Sequence, residues 1–464
     1  MTRPDPTTAT SGNAGRTYFF QEVDGDRTGL VQIGDGFVKR CDISFGARQE
    51  HPSDRPVHVM VDDGRILSLH ENELVSTEAV LEDHSRPRLG RAKVISHLAL
   101  IGSDPWRMDE LVRRISFCCP DIEHLFAHEE KQRRIVQAKV PSEEGWNLYQ
   151  VSVGKVVYGA DYAVYVRDKV APRIDGVRFW MEFPSGCLLH DIRQRLGWYL
   201  SFLSFVANYR VAPRSIWMDK ALAKDAMQPE HEAVLSLPAL GLQAEPCHAW
   251  KAPFAAWDDE DLAALGDGLS RWIGRMDLWQ EAYVRMMICL ETTEKVGGER
   301  VLDAWRWFER LPDTESKRTL ASEAIAPLVD AAFATANQIG LGFSRKDIKR
   351  SLRRLCWEDF EQKIRRLAAS AMRGTDTGNI WDSMVKDIVA GQDIRNDAAH
   401  GNLSQPGRQA AIQRALSAAA TEAFCFLWTA RDLPLTPARR ERLRHHPLVA
   451  NYARLLAANR RPLP

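Results

Sequence analysis

The chain has 464 residues, too many for one ordinary hydrophobic core, and this length predicts two or three domains. Lys plus Arg and Asp plus Glu stand at 62 each, so no global positive field recruits nucleic acid, and any such contact would have to come from local patches. No apolar run reaches the roughly 18 residues needed to cross a bilayer, and residues 1–16 lack the apolar centre of a secretory signal, so the expectation is a cytoplasmic protein without membrane contact.

After a flexible leader at 1–16, residues 17–219 are dominated by short β-like runs, at 17–23, 29–33, 58–61, 93–100 and 146–157, with further runs at 162–166 and 177–183. Asp24-Gly25, Asp63-Gly64 and Asp175-Gly176 are the punctuation expected of tight turns. An antiparallel sandwich or barrel is the economical reading of this half. Leu189, Ile192, Leu196, Leu200 and Leu203 then recur at helical spacing, which predicts a helix over 188–208 packed on the sheet. Between 220 and 258, Pro229, Pro238, Pro246 and Pro253 mark a connector.

From 259 to 464 the pattern is helical, with segments expected at 261–290, 298–310, 315–339, 346–355, 358–372, 379–400 and 405–431, and a helical bundle is their natural assembly. The fold class is thus α+β and multidomain, a β-rich N-terminal domain followed by an all-α C-terminal one. Two basic concentrations fall in the helical half, at 345–354 and 439–444, and the terminal stretch 431–464 carries eight arginines against two acids. This tail could track phosphates, or form a solvated face or an intersubunit salt-bridge surface. The eight cysteines are scattered without a C-x-x-C pair, which argues against a disulfide framework or a structural zinc site. Cys118 and Cys119 read as a strand end before Pro120, Cys289 and Cys425 as core residues, and His445-His446 as a solvated face. Neither a phosphate-binding glycine loop nor a nucleophile elbow occurs.

The most informative stretch is Asp393-Ile394-Arg395-Asn396-Asp397-Ala398-Ala399-His400-Gly401. Ile380, Met384, Val385, Ile388, Ile394 and Ala398 approximate one apolar stripe, interrupted where Gly391 replaces a side chain. Asn379 is placed to cap the start, and Gly401 suits the residue after the end, so His400 belongs to the last turn. The partial negative charge of a helix C-terminus favours an imidazolium there. Asn396 lies one turn earlier on the same face, whereas Arg395 is offset and approaches His400 only through its reach. RNA supplies its own 2′-hydroxyl nucleophile, so a proton-transferring His400 and a phosphate-neutralising Arg395 would suffice for cleavage, with no metal or cofactor. Two copies packed together would set two arginines and two histidines around one cleft. The competing reading makes Arg395 and Asp397 surface charges and His400 a favourable C-terminal cation. Arg65 to His70, Arg91 to His97 and Arg440 to His445 repeat the spacing, but the first two pairs lie in strand-like runs without Asn after Arg.

Arg395-Asn396-Asp397-Ala398-Ala399-His400-Gly401 resembles the R-x4-6-H signature of the HEPN ribonuclease superfamily, and the arrangement looks closest to ApeA-like anti-phage proteins. Residues 357–367 are similar to the F-x-x-K-[IL]-x-x-L helix that precedes the motif in that group. The resemblance implies a HEPN-type bundle that forms a homodimer, with Arg395, Asn396 and His400 as catalytic residues of a metal-independent endoribonuclease. It also implies an RNA substrate, tRNA among the candidates, a phage-derived trigger sensed by the β-rich domain, and abortive infection as the outcome. Some members keep the bundle as a noncatalytic dimerisation or ligand-binding module, which would leave the activity in protein recognition by the β-rich domain.

Overall fold

A computed structural model of the chain describes residues 16–22, 28–34, 37–46, 57–61, 64–80, 89–107, 109–137, 146–166, 172–220, 231–235, 247–292, 298–371, 380–401 and 407–460. The chain divides into two compact units: residues 1–203, 211–240 and 256–273 form the first, and 204–210, 241–255 and 274–464 the second.

The first unit holds one antiparallel sheet of twelve strands among the described residues. Its first part comprises β1 (Arg16–Glu22), β2 (Thr28–Gly34), β3 (Phe37–Gly46), β4 (Val57–Val61), β5 (Ile66–Val80) and β6 (Leu89–Gly102). The order β3-β2-β1-β4-β5-β6 closes on itself because β3 also pairs with the first half of β6, from Cys41↔Val94 to Gly46↔Leu89. These six strands are therefore a closed barrel, which leaves no free edge along the closing seam. The second half of β6 continues into an open sheet through β12 (His231–Leu235), with Leu235 opposite Leu98. Beyond it lie β11 (Ser215–Lys220), β7 (Leu111–Cys118), β10 (Arg173–Leu188), β9 (Val156–Tyr165) and β8 (Asn147–Val153).

Alternation sets which residues face inward: in β4, Val57, Val59 and Val61 are buried while Met60 is exposed. On the open sheet, α1 (Glu129–Gln137) is short, and α2 (Leu189–Ala207) lays Leu189, Ile192, Leu196, Leu200 and Leu203 in the core, as the helical spacing predicts. Tyr199 of α2 donates to the Gly159 carbonyl at 2.9 Å, and its ring meets Phe117, Phe179 and Tyr158 edge-on.

The second unit is all-helical among its described residues. Its helices are α4 (Met276–Thr292), α5 (Gly298–Glu309), α6 (Ser322–Gln338), α7 (Arg345–Leu355), α8 (Phe360–Ala371), α9 (Ile380–Ala399), α10 (Arg408–Ala430), α11 (Pro437–Arg442) and α12 (Pro447–Arg460). Every residue of α10 from Leu416 to Ala430 is buried, and the helix packs against α5, α8, α9 and α12. A helix apolar on all sides belongs at the centre of a bundle. Its one buried acid, Glu422, is gripped bidentately by Arg300, at 2.9 and 2.7 Å.

Several sequence expectations change. The run expected over 261–290 is two helices, α3 (Asp259–Gly274) and α4, and α3 groups with the β unit. The break follows Gly274, and Arg275 turns inward to bond the Tyr283 hydroxyl and the Thr429 carbonyl. The helix expected from 315 begins only at Ser322, because residues 317–320 are extended and pair with 356–358. The run 146–157 holds a hairpin turn: Gly154 adopts φ +60°, the requirement at the first central residue of a II′ turn, between paired Val153 and Val156. Asp175-Gly176 forms a bulge within β10 instead of a turn, whereas Gly64 does turn β4 into β5. The stretch 220–258 returns β12 to the sheet. Asp24-Gly25, residues 1–15 of the leader and the Asn379 cap lie outside the described residues, and residue 16, expected in the leader, begins β1.

Candidate functional site

Met384, Val385, Ile388 and Gly391 are the buried residues of α9, so its first part faces the bundle and its last turn points outward. Gly391 explains the gap in the apolar stripe. A Cβ there would collide with the Ser417 hydroxyl of α10 and lie 3.3 Å from the Trp305 indole nitrogen of α5. The absent side chain lets α9 cross its neighbours closely, at a helix-propensity cost of about 1 kcal/mol.

The helix ends as the sequence predicts. The His400 amide donates to the Asn396 carbonyl at 3.1 Å, the Gly401 amide to Ala398 at 3.2 Å, and Gly401 takes φ +71°, the left-handed conformation that favours glycine. His400 and Asn396 are both exposed, one turn apart. The His400 imidazole has no hydrogen bond or ion pair to any described residue. Asp397 is exposed as well.

Arg395 is half-buried and occupied. Its guanidinium donates to the Glu309 carboxylate at 2.6 Å and to the Asn396 side-chain oxygen at 3.2 Å. Sequence reasoning missed Glu309, which is 86 positions away at the end of α5 and is brought to Arg395 only by the packing of α5 against α9. The side chains of this pair are 35% and 43% exposed, so the pair contributes about 0–1 kcal/mol and a phosphate can compete for the arginine. Within one chain the motif is thus an exposed imidazole beside an amide, with a guanidinium held by a weak internal carboxylate. That set can transfer a proton and neutralise an anion.

Three arginines of the basic tail are engaged within the fold. Arg439 is buried and bonds the Ala249 carbonyl at 3.0 Å, Arg440 reaches the carbonyls of Arg431 and Leu433, and Arg431 pairs with Asp313 while stacking 3.5 Å over Trp428. His446 corrects the expectation of a solvated face. It is fully buried, lies parallel to Phe426 at 3.6 Å, and burial pulls its proton affinity down to about 3, whereas His445 is exposed. The competing motif matches at 65–70 and 91–97 fall on β5 and β6, with Arg65 just before its strand. Cys289 and Cys425 are buried, and burial raises both thiols far above their ordinary range.

A second polar cluster lies in the β unit. Lys220 is buried and bonds Asp104 at 2.5 Å, Glu110 at 2.9 Å and the Pro105 carbonyl at 2.8 Å. All three ammonium hydrogens have acceptors, so this lysine pins the 104–110 loop instead of presenting a reactive amine. Comparison of the chain with models of protein families, with characterised proteins and with solved structures found no match.

Proposed function

We propose that the protein is a metal-independent endoribonuclease of HEPN type, active as a homodimer in the cytoplasm and used in abortive anti-phage defence. The observation that supports this reading most is the exposed, glycine-capped end of α9, where an unpartnered His400 stands one turn beyond Asn396, whose side chain accepts from Arg395. In the proposed reaction one His400 takes the proton of the ribose 2′-hydroxyl, and the 2′-oxygen attacks the adjacent phosphorus. The bond to the 5′-oxygen breaks, and that oxygen is protonated by the second His400 of the dimer. The products are a 2′,3′-cyclic phosphate and a 5′-hydroxyl. Arg395, drawn from Glu309 to the more highly charged phosphorane, stabilises the equatorial oxygens, and Asn396 orients the phosphate or the imidazole.

A second reading, a noncatalytic dimerisation or ligand-binding module, is favoured by the Arg395 ion pair, which ties up the guanidinium within its own chain. Total cellular RNA incubated in chelator separates the two. The ribonuclease reading expects cleavage by wild type, a loss of at least about 100-fold in His400→Ala, and a loss of similar size in Arg395→Ala. Equal breakage by all three proteins removes the assigned site, and no breakage by the activated wild type favours the module.

A further inference from the structure

Helix α7, packed against α6, carries the other basic concentration of the chain, and here several of the charges have no partner among the described residues. Residues 344–357 contain six cations, Arg345, Lys346, Lys349, Arg350, Arg353 and Arg354, against the single acid Asp347. Ile348 and Leu352 are half-buried, while Lys346, Lys349, Arg350 and Arg353 are exposed. Arg345 pairs with Asp330, and Asp347 is held by Ser344. Lys346, Lys349 and Arg353 have no acidic partner among the described residues.

These three cations line one groove of about 680 Å³, together with Ile325, Ala326 and Val329 of α6 and with Trp357. Trp357 is 50% exposed, unusual for so large a ring, yet its backbone is fixed. It bridges to Arg318, the Cys356 carbonyl accepts from Thr319 at 2.8 Å, and the next residue, Glu358, is clamped by Arg366 and by the Lys317 amide. A rigidly mounted aromatic face beside a row of unpaired cations is the combination that single-stranded nucleic acid uses, with phosphates along the cations and a base on the ring. A neutral protein without a global field needs such a local track.

We propose that the α6–α7 groove binds single-stranded RNA, with Lys346, Lys349 and Arg353 on successive phosphates and Trp357 stacked on a base. This deepens the ribonuclease reading, on which its biological meaning rests, by giving the substrate a place to lie. The test measures binding of a labelled oligouridine to full-length His400→Ala protein, which keeps the probe intact whether or not the wild type cleaves RNA. Adding Lys346→Ala, Lys349→Ala and Arg353→Ala together should weaken binding by at least about tenfold and lower the slope of log affinity against log salt by about 2, for three lost phosphate contacts. Trp357→Ala should weaken it by about five- to hundredfold with little change in slope. Unchanged affinity and slope in the triple variant overturn the proposal, as does binding of polyglutamate or duplex RNA as tight as that of oligouridine. Wild-type cleavage is assayed in parallel. Groove-dependent binding without cleavage retains the groove and removes the nuclease, whereas cleavage with groove-independent binding does the reverse.

Discussion

Gly391→Ala tests whether the helix carrying Arg395 and His400 is seated as described. At an open helical position this exchange stabilises by about 1 kcal/mol through backbone entropy alone. Here the new methyl group would enter the space of the Ser417 hydroxyl and also stand 3.1 Å from the Ser417 Cβ and 3.3 Å from the Trp305 indole nitrogen. Ser417 is fully buried on the central helix and cannot swing into solvent. Overpacking of this kind costs about 1–3 kcal/mol, so the net expectation is a loss of up to about 2 kcal/mol. For a unit of this size that lowers the midpoint of thermal unfolding by a few degrees, on the order of 2–4 °C per kcal/mol. Adding Ser417→Ala removes the oxygen that the methyl meets, and the double variant should recover at least about 0.5 kcal/mol relative to the sum of the single effects. Melting followed by circular dichroism and urea titration provides both numbers. A Gly391→Ala protein more stable than wild type, or two effects that simply add, would refute the close crossing of α9 and α10.

Replacing Arg300 with Met strands the Glu422 carboxylate, 1% exposed, and should cost about 3–5 kcal/mol in urea unfolding, most of it recovered by adding Glu422→Leu; a loss below about 1 kcal/mol would contradict the buried pairing. His446 makes the helical unit acid-sensitive. Its folded proton affinity is depressed to about 3, so below the ordinary histidine range the unfolded chain binds more protons, and stability present above about pH 6.5 is lost as the pH falls. The loss amounts to about 2 kcal/mol at pH 5, and His446→Phe, which keeps a ring on Phe426, should abolish that part of the dependence. His70 of the β unit, pulled down to about 4 by burial, retains its own acid sensitivity in that variant, so the helical transition is the one to follow. Glu309→Gln frees Arg395, and RNA cleavage should rise while stability changes by no more than about 1 kcal/mol; unchanged cleavage would show that the ion pair imposes no restraint.

What the sequence reveals and conceals follows the range of the interactions. Local signals are legible: the leucine spacing of α2, the apolar stripe of α9 and the glycine after His400 each concern residues within a few turns, and each element forms where its pattern lies. The two-residue turn at Gly154 is equally local, but the valine- and tyrosine-rich flanks blur it into one run. Barrel closure depends on Cys41 meeting Val94, and no pattern inside either strand specifies its partner. Glu309 is invisible for the same reason. His446 deceives because its neighbours are charged; its burial comes from Phe426, twenty positions away on the central helix. Arg439 likewise looks solvated in the sequence and is buried in the fold.

In the proposed reaction the ribose itself supplies the nucleophile to a site made of Arg395 and His400. The most direct measurement is cleavage of an RNA by the wild-type protein in chelator, with the 2′-hydroxyl replaced by hydrogen at the mapped cleavage position and the product ends identified. Attack by the 2′-oxygen leaves 2′,3′-cyclic phosphate and 5′-hydroxyl ends on the natural RNA and should give no cleavage at the deoxy position. Continued cleavage there, or products bearing a 5′-phosphate, would contradict it.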